Sequence, residues 1–476
     1  MELPAEVFPV AEKPRLEPRG GRHVVTYGIP IPYFGFLWSP LLAGRARRIE
    51  EAADAGRPLP TTTPWWAPPV SFDARTSQAL AALCLLSLVW SYGGGTLGLL
   101  TQTLPYAADA YAVDDRTLAI GLAVVRAGVI LALLLGPLAD RLGRRRLVIY
   151  LAVAHCLLVA VAGLAPDFEA YIGVHVILRC LDTALSIAIA VLVAELVPAG
   201  SRAISLSLVA LSAGGGIVLA VAVLPLAAAG RGGFTAVYLL QLLAIPLVLH
   251  SARWISESAR FARHEGERHG YLEVLRPPYR RRAILLAATI FLAAAFTAPT
   301  LEFTTRYLDE EHSFSAAKVV LFLAVTGLPS FPMLIVGGRL ADLRSRKSVG
   351  IPLVIASALC YAGFYLASGP LLWILACGGA MLGSAGGAAL SPYPSELFPT
   401  RIRSAAQTLT IAIGVLGSAF GLGVVAVLSG SLELGPSIAC LAILPVISAF
   451  IFAFAFAETA RRELEDTSLE GGRPPV

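Results

Sequence analysis

From residue 78 onward the apolar residues gather into twelve runs, roughly 78–106, 117–138, 147–165, 171–195, 203–228, 235–250, 283–305, 316–336, 348–367, 370–392, 405–430 and 437–457. A helix crosses a hydrocarbon core of about 30 Å in about 20 residues, which most of these runs supply. Helices also satisfy every backbone polar group within the segment, as an apolar medium demands. The pattern predicts an all-α integral membrane protein of twelve transmembrane helices, called spans 1 to 12. They fall into two sets of six, separated by the polar stretch 251–282.

The polar connections orient the chain, because cytoplasmic loops retain Lys and Arg. Loops after the even spans carry Arg144 to Arg146, Arg202, a run from Arg253 to Arg282, Arg344 to Lys347, and Arg401 with Arg403. Most odd loops are acidic instead, with Asp109, Asp114 and Asp115, then Asp167 and Glu169, then Asp309 to Glu311, then Glu433. Both termini are therefore expected in the cytoplasm. The expected division is a tail 1–77, a six-helix half 78–250, a cytoplasmic linker 251–282, a second half 283–457 and a tail 458–476. In the N-terminal tail, Tyr33, Phe34, Phe36, Leu37, Trp38, Leu41 and Leu42 precede Arg45, Arg47 and Arg48. That order fits a segment lying on anionic lipid. It fits equally a proline-rich tail that orders only in part.

Composition narrows the function. Of 476 residues 56% are hydrophobic and 14% charged, against roughly 25% charged in ordinary soluble domains. The net charge of +5 includes no basic block interleaved with aromatics, so nucleic acid is not an expected partner. The six cysteines lie singly within apolar runs, the histidines form no metal-binding spacing, and no phosphate-binding loop occurs. A metalloenzyme and an ATP-driven pump both lose their support.

An internal repeat fixes the architecture. Gly136-Pro-Leu-Ala-Asp140 recurs as Gly338-Arg-Leu-Ala-Asp342, Glu195-Leu-Val-Pro198 with Arg202 as Glu396-Leu-Phe-Pro399 with Arg403, and Glu257-Ser-Ala-Arg260 as Glu458-Thr-Ala-Arg461. The matching residues are charges, glycines and prolines at one interval, so a six-helix unit has been duplicated. Parallel repeats of this kind form the two halves of one large transporter class.

These residues resemble the major facilitator superfamily, over about residues 78 to 465. Gly136 to Arg146 resembles its loop motif between helices 2 and 3, repeated through Arg346 and Lys347 with Ser345 in place of the second glycine. Ser256 to Arg260, Ala457 to Thr459, and Pro394 to Arg403 resemble boxes of the sugar-porter and organic-ion branch, of which metabolite:proton symporters are a part. The resemblance implies secondary active transport of a small organic solute by alternating access, with no cofactor and a proton gradient as driving force. It implies a monomeric, multi-pass protein of the plasma membrane, whose partners are the solute, protons and the lipid bilayer. A drug or metabolite efflux antiporter and a non-transporting solute receptor remain alternatives.

Three sets of residues carry the candidate chemistry. Asp140, Arg144, Glu195, Arg202, Glu257 and Arg260, with Asp342, Arg346, Glu396, Arg403, Glu458 and Arg461 in the other half, alternate in sign at the cytoplasmic helix ends, which suits a gate. Arg126, Arg179 and Asp182 stand inside spans 2 and 4, where a charge costs about 2.5–3.5 kcal/mol on the insertion scale. Arg126 lies about 21 Å from Asp140, and Asp182 about 20 Å from Glu195, at 1.5 Å per residue. That common depth makes Asp182, opposed by the two arginines, the candidate proton-responsive group. The resemblance adds a coupling role for an arginine of helix 4, matched by Arg179. The lone His155 and His175 read as packing residues. Tyr92, Gln102, Thr297, Thr300, Glu302, Tyr393 and Gln407 are candidates for holding a solute, Glu302 also being expected to pair with Arg306 at the outer rim of span 7. The resemblance also marks absences: span 1 lacks a central acid and span 7 a paired-glutamine sugar site, so a sugar is not favoured, and span 5 lacks the glycine-proline motif of drug exporters.

Overall fold

The computed structural model describes residues 1–4, 7–94, 98–113, 115–131, 143–257, 271–399, 402–462 and 464. Among these, eleven helices are long and apolar enough to cross a membrane. In the first half they run Ala74–Gly93, Arg144–Gly163, Phe168–Leu196, Ala199–Ala227 and Arg231–Ser251, which are spans 1, 3, 4, 5 and 6. In the second half they run Arg280–Glu302, Lys318–Leu343, Arg346–Phe364, Pro370–Glu396, Arg403–Leu428 and Leu434–Ala455, which are spans 7 to 12. Span 2 begins as the helix Asp115–Ala127 and tightens into a 3-10 turn over Gly128–Leu131. The rest of its expected length lies outside the described residues.

Span 1 departs from its apolar run. The run predicts one helix over 78–106, whereas the helix starts earlier, at Ala74, and stops at Gly93. Asp73 sets the start, its carboxylate accepting from the Thr76 amide at 2.9 Å. This satisfies one of the donors left free at a helix N-terminus. Gly93 and Gly94 end it, and two short helices, Leu99–Gln102 and Leu104–Tyr111, take the chain onward.

The duplication is visible in packing as well as in sequence. Spans 1 and 5 meet so closely that a Cβ on Gly216 would collide with the Leu88 carbonyl. Spans 7 and 11 meet in the same way at Gly417, where the Phe291 carbonyl stands. Within lipid, where hydrocarbon tails compete with side chains, such close backbone approach between small residues drives helix association. Ser87 and Ser91 add bonds across the first pair, donating to the Val209 and Ala213 carbonyls at 3.0 and 2.7 Å.

The N-terminal segment is a small module with its own core. Strands β1 (Glu12–Arg19) and β2 (Arg22–Gly28) form an antiparallel hairpin. Helix α1 (Gly35–Asp54) packs on it through Leu42, Ala46 and Ile49. Arg45 lies buried beneath, donating to the carbonyls of Val7, Pro60 and Thr62 at 2.9, 2.5 and 3.1 Å. The module packs on the membrane helices through Phe34 and Phe72 among others, and polar contacts add to this. Tyr33 packs edge-on to Trp254 and accepts from Ser251 Oγ at 3.1 Å. Val70 exchanges two hydrogen bonds with the Ser201 hydroxyl, at 3.0 and 2.8 Å. The alternative of a partly ordered tail is thus replaced by a hairpin-and-helix unit. Phe36 and Leu37 on α1 remain exposed.

Candidate functional site

At the helix ends carrying the repeated charges, four arginines and three acids are almost fully removed from solvent: Arg144, Arg202, Arg346, Arg403, Glu195, Asp342 and Glu396. Charges so buried persist only when paired. Each glutamate is held by one arginine of its own half and one of the other. Glu195 pairs with Arg144 and, across the halves, with Arg403. Glu396 pairs with Arg346 and, across the halves, with Arg202 at 3.3 Å.

Asp342 adds a third crossing. Its carboxylate accepts from the Ala203 and Ile204 amides at 3.2 and 2.9 Å, capping span 5 from the opposite half. An acid at a helix N-terminus meets free amides and the positive end of the helix dipole. Spans 5 and 8 are pressed together beside it, for a Cβ on Gly338 would collide with the Ser207 hydroxyl. The two halves are therefore latched at this end.

Behind the latch, a glutamate in each half caps a helix. Glu257 accepts from the Arg144 and Arg145 amides at 3.1 and 3.3 Å. Glu458 does the same with the Arg346 and Lys347 amides at 3.2 and 3.1 Å. Burial opposes the charged form of Glu458, but the Ser345 hydroxyl and the amides of Ala460, Lys347 and Arg346 outweigh it and hold the carboxyl below its usual range. Ser345 also explains the departure from the first repeat. Gly143 turns with φ +87°, which favours glycine, whereas Ser345 is extended at φ −158° and caps the Ser348 amide at 3.2 Å. Arg461 donates to the Asp342 carbonyl at 3.0 Å. Asp140 and Arg260 lie outside the described residues.

Deeper in the first half, Asp182 of span 4 faces His155 of span 3, with Nε2 3.0 Å from Oδ1. This corrects the reading of His155 as a mere packing residue, and it adds a histidine to the two arginines expected around Asp182. Span 2 does pass beside span 4 at this level, since a Cβ on Gly128 would lie 3.3 Å from Arg179 Cβ. Arg179 is half-buried, and the side chain of Arg126 lies outside the description. The broken end of span 1 closes the site: a Cβ on Gly94 would collide with the Asp182 carboxylate, and one on Gly93 would stand 3.0 Å from His155 Cε1. On sequence alone, adjacent glycines in an apolar run suggest no more than close helix packing. Their joint position with a lone histidine and an intramembrane acid carried the missed signal.

A polar chain continues outward from there. Tyr171 and Tyr238 share a hydrogen bond at 2.7 Å, Thr103 joins Tyr238 at 2.9 Å, and His175 Nδ1 lies 2.9 Å from the Tyr171 carbonyl.

The solute candidates do not gather into one site. Tyr92 donates to the Val237 carbonyl at 2.8 Å, and Tyr393, beside the latch, donates to the Ala457 carbonyl at 3.1 Å. Thr297 and Thr300 donate to their own helix at Ala293 and Phe296. Gln407 is buried and Gln102 half-buried. The expected Glu302–Arg306 pair gives way to Arg306–Glu310 at 2.8 Å. The reason is a helix boundary at Phe303, which puts Glu302 and Arg306 in different helices and Arg306 and Glu310 in one.

Two duplicated helical halves latched by reciprocal ion pairs, with an acid–histidine pair inside the membrane, define a transporter built for alternating access. The sequence profile of the Major Facilitator Superfamily matches residues 79–422, and the chain belongs to that family. No curated protein sequence matches it. Among solved structures it is similar to the proton:xylose symporter XylE bound to 6-bromo-6-deoxy-D-glucose, at TM-score 0.67 and 16% identity over 84% of this chain and 99% of that one. It is similar to the human organic anion transporter MFSD10 (TETRAN), at TM-score 0.64 and 15% identity over 79% and 99%. It is also similar to the E. coli fucose:proton symporter FucP, at TM-score 0.64 and 18% identity over 79% and 98%. These likenesses share the fold. The protein is a multi-pass secondary transporter whose cargo is a small solute.

Proposed function

We propose that the protein is a proton-coupled symporter of a small organic solute in the plasma membrane, with both termini and the latch in the cytoplasm. The observation carrying this reading is the Asp182–His155 pair at the glycine break of span 1. Ionisable groups inside a membrane are costly and tend to mark ion pathways, and discontinuous helices are where transporters bind coupling ions. Coupling needs a group whose charge state differs between two conformations. A carboxylate shared between a histidine of span 3 and a break in span 1 changes surroundings whenever span 1 moves. The basic loops at the latch end support the orientation. XylE and FucP are named as proton symporters, which favours symport over efflux. The latch then serves as the cytoplasmic gate, with Glu195, Arg202, Asp342, Arg346, Glu396 and Arg403 at its centre.

The test is transport by Asp182→Asn in proteoliposomes. Accumulation driven by a pH gradient should vanish while counterflow exchange, which moves no net proton, survives. A variant that still concentrates solute under a proton gradient alone removes Asp182 from coupling. A variant that folds but has lost both activities makes the Asp182–His155 pair a packing device.

A further inference from the structure

A crevice of about 440 Å³ runs beneath the N-terminal module, with Ile204, next to the latch, in its lining. Its walls are Trp38 and Leu41 of α1, Leu80 and Leu88 of span 1, and Leu208 and Leu211 of span 5. Ile335 of span 8 completes the lining, and no residue of spans 4, 7, 10 or 11 is part of it.

Three observations decide its occupant. The first is chemical: the lining is apolar apart from three serines, two of which donate their hydroxyls to their own backbone. Ser77 donates to the Asp73 carbonyl at 3.1 Å and Ser205 to the Ser201 carbonyl at 2.7 Å. A polar solute would find few partners and would lose its hydration. The second is length. Ser77 and Leu88, both lining the crevice, are eleven residues apart on one helix, about 16 Å at 1.5 Å per residue. That is close to half of a hydrocarbon core of about 30 Å, and so to the reach of one leaflet's acyl chains. The third is charge and setting. Arg48 is exposed and continues the Trp38–Leu41 stripe of α1 seven residues further on, about 10 Å along the helix. Trp65, at the same edge, is 70% exposed. Aromatic rings and cations of this kind mark the headgroup level of a membrane.

We propose that this crevice binds an acyl chain of an anionic phospholipid from the leaflet on the side of the termini, with its headgroup near Arg48. The N-terminal module then forms one wall of a lipid site whose other walls are spans 1 and 5, with Ile335 of span 8 at its edge.

The test uses the full chain in proteoliposomes containing a phospholipid with a diazirine at the acyl terminus, in separate anionic and zwitterionic preparations. After irradiation, adducts are mapped to peptides. Adducts at 77–88 and 204–215 should exceed those at Phe450 and Phe454, which are exposed on span 12, and the excess should be several-fold larger with the anionic lipid. Ala81→Phe, which fills the crevice, should abolish the excess, and Arg48→Gln should equalise the two lipids. Should Ala81→Phe fail to fold, quenching of tryptophan fluorescence by acyl-brominated anionic lipid reads the same site, and Trp38→Phe should reduce it. Labelling no greater than at span 12, equal labelling by the two lipids in the parent protein, or quenching untouched by Trp38→Phe overturns the proposal.

Discussion

Replacing Arg403 with glutamine isolates the part of the latch that must break when the halves separate. Glu195 keeps its own-half partner Arg144 in the variant, so no buried carboxylate is stranded. The loss between the halves includes the charge-assisted bond from Arg403 to Glu195. Hydrogen bonds to charged groups contribute about 1.5–3 kcal/mol. In the parted state Arg403 meets water, and its loss there costs little. The closed state alone is therefore weakened, and the open-to-closed ratio should rise about 10- to 150-fold, at about 1.4 kcal/mol per tenfold. Ser404 adjoins Arg403 and is wholly buried, so Ser404→Cys in a background lacking the six native cysteines reports opening through its rate of alkylation. In nanodiscs, with both faces accessible, Arg403→Gln should raise that rate by the stated factor. Arg306→Gln, which breaks an exposed pair in another region, should not. An unchanged rate in Arg403→Gln, or an equal rise in Arg306→Gln, refutes the assignment of the cross-half pairs as the latch.

Two further outcomes follow from local geometry. Glu458→Gln should destabilise the protein by about 1 kcal/mol at pH 7, the usual worth of a helix cap. Because the folded carboxyl is held below its usual range, its stabilisation is complete above the unfolded value of about 4.3 and fades as pH falls through the lower folded value. Melting curves of parent and variant should accordingly converge on acidification below pH 4.3, and a constant gap would contradict the cap. Arg45→Met removes the donor to three carbonyls that tie α1 to 7 and 60–62. Limited proteolysis between 55 and 73 should quicken, and an unchanged digestion pattern would mean that the tie carries no stability.

How much of this was legible in the sequence depends on the range of each signal. The twelve runs and the repeat were readable because apolar periodicity and duplicated charges are written locally. The latch residues emerged from the same repeat, but their pairing did not. Arg202 meets Glu396 across 194 residues and Arg403 meets Glu195 across 208, and no spacing rule reaches so far. His155 was passed over because it stands alone on span 3, and only packing brings it to Asp182. The N-terminal module was hidden by its prolines, although Leu42, Ala46 and Ile49 recur at helical spacing and form its buried stripe. Glu302 and Arg306 have the right spacing for a helix pair, yet the boundary at Phe303 separates them, because a spacing argument presumes an unbroken helix.

The reciprocity of the latch also bears on how it can open at all. Separating two buried, fully paired ions would ordinarily be prohibitive, since each would have to find new partners. Here each acid retains an arginine of its own half, Arg144 for Glu195 and Arg346 for Glu396. Arg202 and Arg403 give up their cross-half glutamates, and both begin helices, where water would reach them once the halves part. The cost of opening thus falls on cross-half bonds that include Arg202–Glu396, Arg403–Glu195, the Arg202 donation to the Arg462 carbonyl at 2.9 Å and the Asp342 cap. A solute can supply a difference of that size through unequal affinity for two conformations. Duplication yields this property directly. One six-helix unit that stabilises its own acid and presents a spare arginine at the next helix, copied once and apposed to itself, produces both halves of the latch from a single design.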